Sequence, residues 1–221
     1  ARLEINEQDH LDLKQHCDSK NIKFLSTAFD KNSFNLLLDL GIDVVKVASG
    51  DVTNLSLLKH FARSQLPIIM STGMCTLGEI EEAIKTIEDE GNFNITLLHC
   101  VSWYPAEIET TNLLYMNTLK SAFNYPVGYS DHTLGLSMTI AAKALGACVI
   151  EKHFTIDKKY SDFRDHHLSF DKYTLQDLVK SIKLTHKCVQ GLSKNPEKLQ
   201  LSIIGQMRKG IVASKEIKKG Q

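Results

Sequence analysis

Residues 126–155 read PVGYSDHTLGLSMTIAAKALGACVIEKHFT. Apolar residues recur at helical spacing through LGLSMTIAAKALGA, and Gly146 stands where a helix C-cap is wanted. The flanking runs PVGYSDHT and CVIEKHFT are strand-like, so the stretch is a strand–helix–strand unit. Successive strands joined by a helical crossover lie side by side and parallel, with their C-terminal ends opening on one face. His132 and His153 follow the two apolar runs. Two imidazoles on neighbouring strand ends can converge on one divalent cation.

Outward from this unit the same alternation continues. IKFLSTAFD, VVKVASGD, LPIIMSTGM and ITLLHCVSWYP are strand-like runs that precede it, and helical stretches separate them. The capping pair Thr76 and Glu79 opens one of these helices and Gly91 closes it. A surface helix from about Asn6 to Ser19 comes before them all, and YTLQDLVKSIKLTHKCVQG is the last of the series. Six strand-like runs alternating with helices are the signature of a parallel α/β fold. The absence of a G-x-G-x-x-G or Walker pattern weakens a dinucleotide or P-loop reading.

Between an open doubly wound sheet and a barrel, the strand exits favour the barrel. An open sheet gathers its ligand groups at one switch point, whereas a barrel spreads them around its C-terminal rim. Here they are spread: Ser26 and Thr27; Lys46, Ser49 and Asp51; Ser71 and Thr72; His99 and Ser102; Ser130 to His132; Glu151 to His153. Lys46 lies among Val44, Val45 and Val47, and a lysine on a buried strand needs an anionic partner. Any single serine at a strand end can equally be a turn residue. A lone histidine near a strand is more often a satisfied core residue, which is the reading for His99. Two on adjacent strand ends, each beside an acid (Asp131, Glu151), are candidate ligands. Trp103 reads equally as a sugar platform or as loop packing.

The chain has 221 residues, with 26 basic and 26 acidic side chains and no net charge, so nothing points to nucleic acid. No apolar run is long enough for a membrane span and no signal peptide is evident. Five cysteines, none in a C-x-x-C pair, fit a reducing cytoplasm, with Cys100 and Cys148 expected in the core.

Taken in order, STAFD, VKVASGD, STGM, LLHCVSWYP, GYSDHT and EKHFT resemble the N-acetylneuraminate (sialic acid) synthase family, which includes the spore-coat polysaccharide synthases. The resemblance spans about Phe24 to Ser169 and implies a (β/α)8 TIM-type barrel followed by a small antifreeze-like domain. On that reading strands 3–8 of eight are present, over residues 1–192. Residues 193–221 are then a polar connector and, at IVASKEIKKG, the first strand of a truncated antifreeze-like domain. The implied reaction condenses phosphoenolpyruvate with an N-acetylated hexosamine such as N-acetylmannosamine, giving a nonulosonic acid and phosphate. It uses a divalent metal: Mn, or Mg, Co, Zn or Fe. The metal ligands are carried onto His132 and His153. The surroundings of phosphoenolpyruvate are carried onto Thr27, Lys46, Ser49, Ser71 and Ser130. Ser102 stands where some members have asparagine, and Tyr104 is on the sugar side. Asp51 falls near the acceptor, and Asp165 and His166 match a D-H-x-x-S block that reads DHHLS here. Catalytic roles are therefore expected for Lys46, Asp51, Asp165 and His166, and a homodimer is expected. A non-catalytic scaffold and a different metal-dependent barrel aldolase or synthase are the alternatives.

Overall fold

The computed structural model describes residues 5–161, 165–189 and 198–221. The chain divides into two compact units, Ala1–Cys188 and Val189–Gln221. The division expected after residue 192 falls outside the described residues.

The first unit opens with α1 (Glu7–Ser19). The Asn6 side chain accepts from the Asp9 amide and the Asp9 carboxylate accepts from the Asn6 amide, a reciprocal cap. None of its residues is buried, as a surface helix requires. Then follow α2 (Lys31–Asp39), β1 (Val45–Val47), α3 (Leu55–Ala62), β2 (Ile68–Ser71) and α4 (Leu77–Glu88). The series continues with β3 (Ile95–Cys100), α5 (Tyr115–Phe123), β4 (Val127–Asp131), α6 (Ser137–Ala144), β5 (Ile150–Lys152) and α7 (Lys172–Val189). Thr76 and Glu79 form the predicted capping box on α4, and Gly146 leaves α6 at a φ of 102°, which favours glycine.

The strands form one sheet in the order β1-β2-β3-β4-β5, every neighbour parallel. The expected sequential order is present, but with five strands rather than six. IKFLSTAFD contributes only an isolated bridge from Thr27 to Lys46. Its Phe24 and Ala28 pack on the core, but Ile22 and Leu25 are 64% and 45% exposed, so only part of the apolar pattern that makes the run look like a strand is covered.

Side chains alternate across the sheet. Val45, Val47, Ile68, Met70, Ile95, Leu97, Val127 and Tyr129 pack with α2 to α6 in the core. The opposite parity carries Lys46, Ser71, Cys100, Ser130 and Glu151, which face a cavity. The sheet is strongly curled. In a flat sheet β1 and β5 would stand ~19 Å apart at ~4.8 Å per strand, yet Lys46 on β1 and Glu151 on β5 approach to 3.4 Å. Gly128, on the concave parity, permits the curl: a Cβ there would lie 2.5 Å from the Val149 carbonyl oxygen and 2.6 Å from Leu98 Cδ2.

Cys100 is buried as expected, but Cys148 is exposed. It precedes β5 and lines a surface groove with Lys120 and Leu145. The second unit contains α8 (Lys198–Met207), where a polar connector was expected. The strand expected from Ile211 is not formed; Ile211 and Val212 are 105% and 83% exposed, with no neighbour to pair with. Among the described residues no helix is long and apolar enough to cross a membrane.

The curl has a direct test. Gly128→Ala inserts a methyl group against backbone and is expected to cost roughly 1–3 kcal/mol. The denaturant midpoint falls while the slope of the transition is retained; an unchanged midpoint contradicts the role given to Gly128.

Candidate active site

The concave face and the strand exits enclose a cavity of about 530 Å³. Thr27, Lys46, Ser49, Ser71 and Ser130 line it, as do Ser102 and Tyr104 from the loop after β3 and the pair His132 and His153. Nine of the twelve residues onto which the resemblance carries a site role therefore meet at one place. The other three stand outside its wall. Asp51 closes the 3-10 turn Ser49–Asp51 after β1. Asp165 approaches His153 Nδ1 to 3.6 Å through its carboxylate, and His166 Nδ1 meets the Thr155 hydroxyl at 2.7 Å. Trp103 is 67% exposed and is not among the lining residues.

Lys46 is buried, and the cavity borders it. It donates to the Val47 carbonyl at 3.0 Å and to Ser71 Oγ at 2.9 Å. Glu151 is its anionic partner, and Ser71 in turn donates to Glu151 Oε2 at 3.2 Å. Sequence reading placed Glu151 beside a histidine; the curl instead brings it across the cavity to Lys46. Ser49 sits in the turn after β1, where its Oγ accepts the Gly73 amide at 2.9 Å. Gly73 is a close approach: a Cβ there would crowd Ser102 Oγ and stand 3.0 Å from Ser49 Oγ and 3.2 Å from Cys100 Sγ.

The imidazoles lie two residues further along their chains than Ser130 and Glu151, which are register partners. Their ring centroids are 5.1 Å apart. Tyr104 packs against both, tilted at 4.2 Å from His132 and edge-on at 5.8 Å from His153. His132 Nδ1–H donates to the Val101 carbonyl at 2.7 Å, which leaves the lone pair on Nε2. Burial pulls the His132 imidazolium down, but the Cys100 sulfur at 3.8 Å and the Val101 carbonyl outweigh it and hold it above the ordinary range. Burial pushes the Cys100 thiol up, yet His132 with the hydroxyls of Ser130 and Ser49 leaves it below its usual value. His153 moves the other way, lowered by burial and then by the proximity of His132. Among the described residues no three His, Cys, Asp or Glu side chains form a metal-holding cluster.

Behind the histidines, on the helix-facing parity, lies a second set of polar groups, and its pairing of Asp131 with Lys152 is what sequence reasoning missed. Asp131 is fully buried and accepts from Lys152 Nζ at 2.9 Å. It also accepts from the Thr133 amide and hydroxyl, each at 2.8 Å, from Thr139 Oγ1 at 2.5 Å and from the Tyr129 hydroxyl at 3.3 Å. Burial lowers the Lys152 ammonium and Asp131 opposes that shift. The signal available in the sequence was D-H and K-H in corresponding places of two neighbouring strands. Reading it requires the register. His99 keeps the core role expected of it: it is buried and donates through Nε2–H to the Thr111 carbonyl at 2.6 Å.

Known proteins share this arrangement of strands. The N,N'-diacetyllegionaminic acid synthase of Campylobacter jejuni is 46% identical over all of this chain, and that of Legionella pneumophila is 42% identical over 99% of it. The chain spans 66% and 62% of the lengths of these two relatives. The crystal structure of N-acetylneuraminic acid (sialic acid) synthetase from Leptospira borgpetersenii serovar Hardjo-bovis, in complex with citrate, superimposes with a TM-score of 0.85. It is 34% identical in sequence, and the match covers 92% of this chain and 70% of that one. The family model described as the NeuB family matches residues 1–194, and the chain belongs to that family.

Proposed function

We propose that this chain condenses phosphoenolpyruvate with the open-chain form of an N-acetylated hexosamine, giving a nonulosonic acid and inorganic phosphate. One observation carries the reading. A single cavity joins an anion-holding end, built on Lys46, Ser49, Ser71 and Ser130, to an imidazole pair flanked by Tyr104. The relatives named for legionaminic and sialic acids support the product class.

The donor set fits a divalent cation at His132 and His153. The Val101 carbonyl holds the Nδ1 proton of His132, so Nε2 would be the ligating nitrogen, and the Asp165 carboxylate lies 3.6 Å from His153 Nδ1. Two protein ligands leave positions for water and substrate, as catalysis at a cation requires. When bound, such an ion supplies Lewis acidity to the aldehyde of the sugar.

The chain's own groups do the rest. Lys46 gives a charge-assisted hydrogen bond to the phosphate or carboxylate of the donor, and the short hydroxyls hold it without crowding. The methylene carbon of phosphoenolpyruvate attacks the aldehyde carbon. A carbon–carbon bond forms as the carbonyl π bond opens onto its oxygen, which takes up a proton, and the adjacent carbon that bears the phosphate is left cationic. Water adds to that adjacent carbon and gives up a proton, and its bond to the phosphate oxygen breaks, leaving a keto group and inorganic phosphate. Glu151 is placed to take the proton of that water, because Ser71 and Lys46 fix its carboxylate in the cavity. Tyr104 packs the sugar side. Asp165 keeps His153 oriented, and His166, tied to Thr155, shapes the loop beyond β5. Asp51 closes the cavity turn on the acceptor side.

Two outcomes are expected. Lys46→Met weakens phosphoenolpyruvate binding by about 1.5–3 kcal/mol in calorimetry; undiminished binding rejects the anion-holding role. Glu151→Gln lowers kcat by about 10²-fold or more with KM little changed, and an undiminished kcat removes Glu151 from the proton step.

A further inference from the structure

We infer that the Asp131–Lys152 pair is a positioning clamp that sets the spacing of the two imidazoles and thereby the affinity of their site for a divalent cation. The inference rests on the reading that His132 and His153 hold that cation.

Asp131 and Lys152 are Cα register partners across β4 and β5, and each is followed directly by one of the histidines. Their side chains meet at 2.9 Å on the helix-facing side of the register, with exposures of 0% and 3%, and Lys152 also borders the cavity. A buried ion pair between two well-formed strands contributes little to the fold by itself, because its desolvation offsets its attraction. What it does provide is a fixed geometry. Lys152 Nζ also donates to the Thr133 carbonyl at 2.5 Å, while the Thr133 amide and hydroxyl donate to Asp131. His132 is therefore bracketed between two residues tied to the same ion pair. Thr139 anchors the carboxylate to α6, and the Phe170 ring, 4.8 Å from the Lys152 ammonium, caps it from the loop that follows β5. The Phe170 amide donates to the His153 carbonyl at 2.8 Å, so the second histidine is tied to the same assembly. Asp131 and Lys152 act on the two imidazoles chiefly through the backbone that carries them.

The test is titration of the full chain with Mn(II), free ion being counted by electron paramagnetic resonance, alongside thermal melting without added metal. Asp131→Asn and Lys152→Met are each expected to weaken Mn(II) binding by about tenfold or more. The double variant is expected to be no weaker than the worse single one, since both changes open the same clamp. Where Lys152→Met does not fold, Lys152→Gln, which can still donate to the Thr133 carbonyl, carries the same expectation. His132→Ala and His153→Ala are run beside them. If these two lose Mn(II) while the clamp variants melt lower yet keep the wild-type constant, the pair is structural only and the clamp is overturned alone. If the histidine variants bind Mn(II) as the wild type does, the cation reading is overturned, and the clamp with it.

Discussion

Lys46 and Glu151 are separated by three strands in the sheet and by 3.4 Å in space. That contact exists only because the sheet curls strongly, and most of the candidate chemistry depends on the curl. Opened flat, the same strands would leave a lysine without an acid, hydroxyls strung along an edge, and no cavity. The curl in turn needs room on the concave side, which Gly128 gives to Leu98 and the Val149 carbonyl. It also needs a continuous apolar layer on the convex side, which the valines, isoleucines and leucines of the strands give to α2 to α6. A barrel wall distributes ligand groups around its rim, and here the rim is dense enough for nine candidates to reach one cavity.

The local features were legible from the chain alone. Asn6 with Asp9, Thr76 with Glu79, and Gly146 after α6 are determined by residues within a few positions of one another. The parallel order was legible too, because short crossovers leave successive strands little choice but adjacency. What could not be read was whatever depends on a distant partner. IKFLSTAFD has the composition of a strand, but a strand is a relation to a neighbour, and only Thr27 has one. Cys148 has the apolar company of a core residue, but its exposure depends on where α6 stops.

The acids next to the histidines show the same limit at the site. By sequence, Asp131 and Glu151 look like equivalent supports for His132 and His153. By parity they differ: Glu151 faces the cavity and Lys46, whereas Asp131 faces the helices and Lys152. Adjacent positions in a strand point to opposite faces, so the nearest acid in the chain is not the nearest in space.

That parity makes β5 intolerant in a particular way. Glu151 and His153 share the cavity side, while Lys152 between them sends its ammonium to Asp131. Losing or gaining a single residue just before Ile150 would leave composition and hydropathy almost unchanged. It would also rotate the segment by one step of the pleat. Lys152 and Phe154 would then face the cavity, and an acid and an imidazole would be driven among the helices. Point substitutions in this segment can be graded in their effect, but a one-residue change of length exchanges the polar machinery for its scaffold in one event. Drift in length is therefore expected in the loops beyond Thr155 and before Pro126, and not between Val149 and His153.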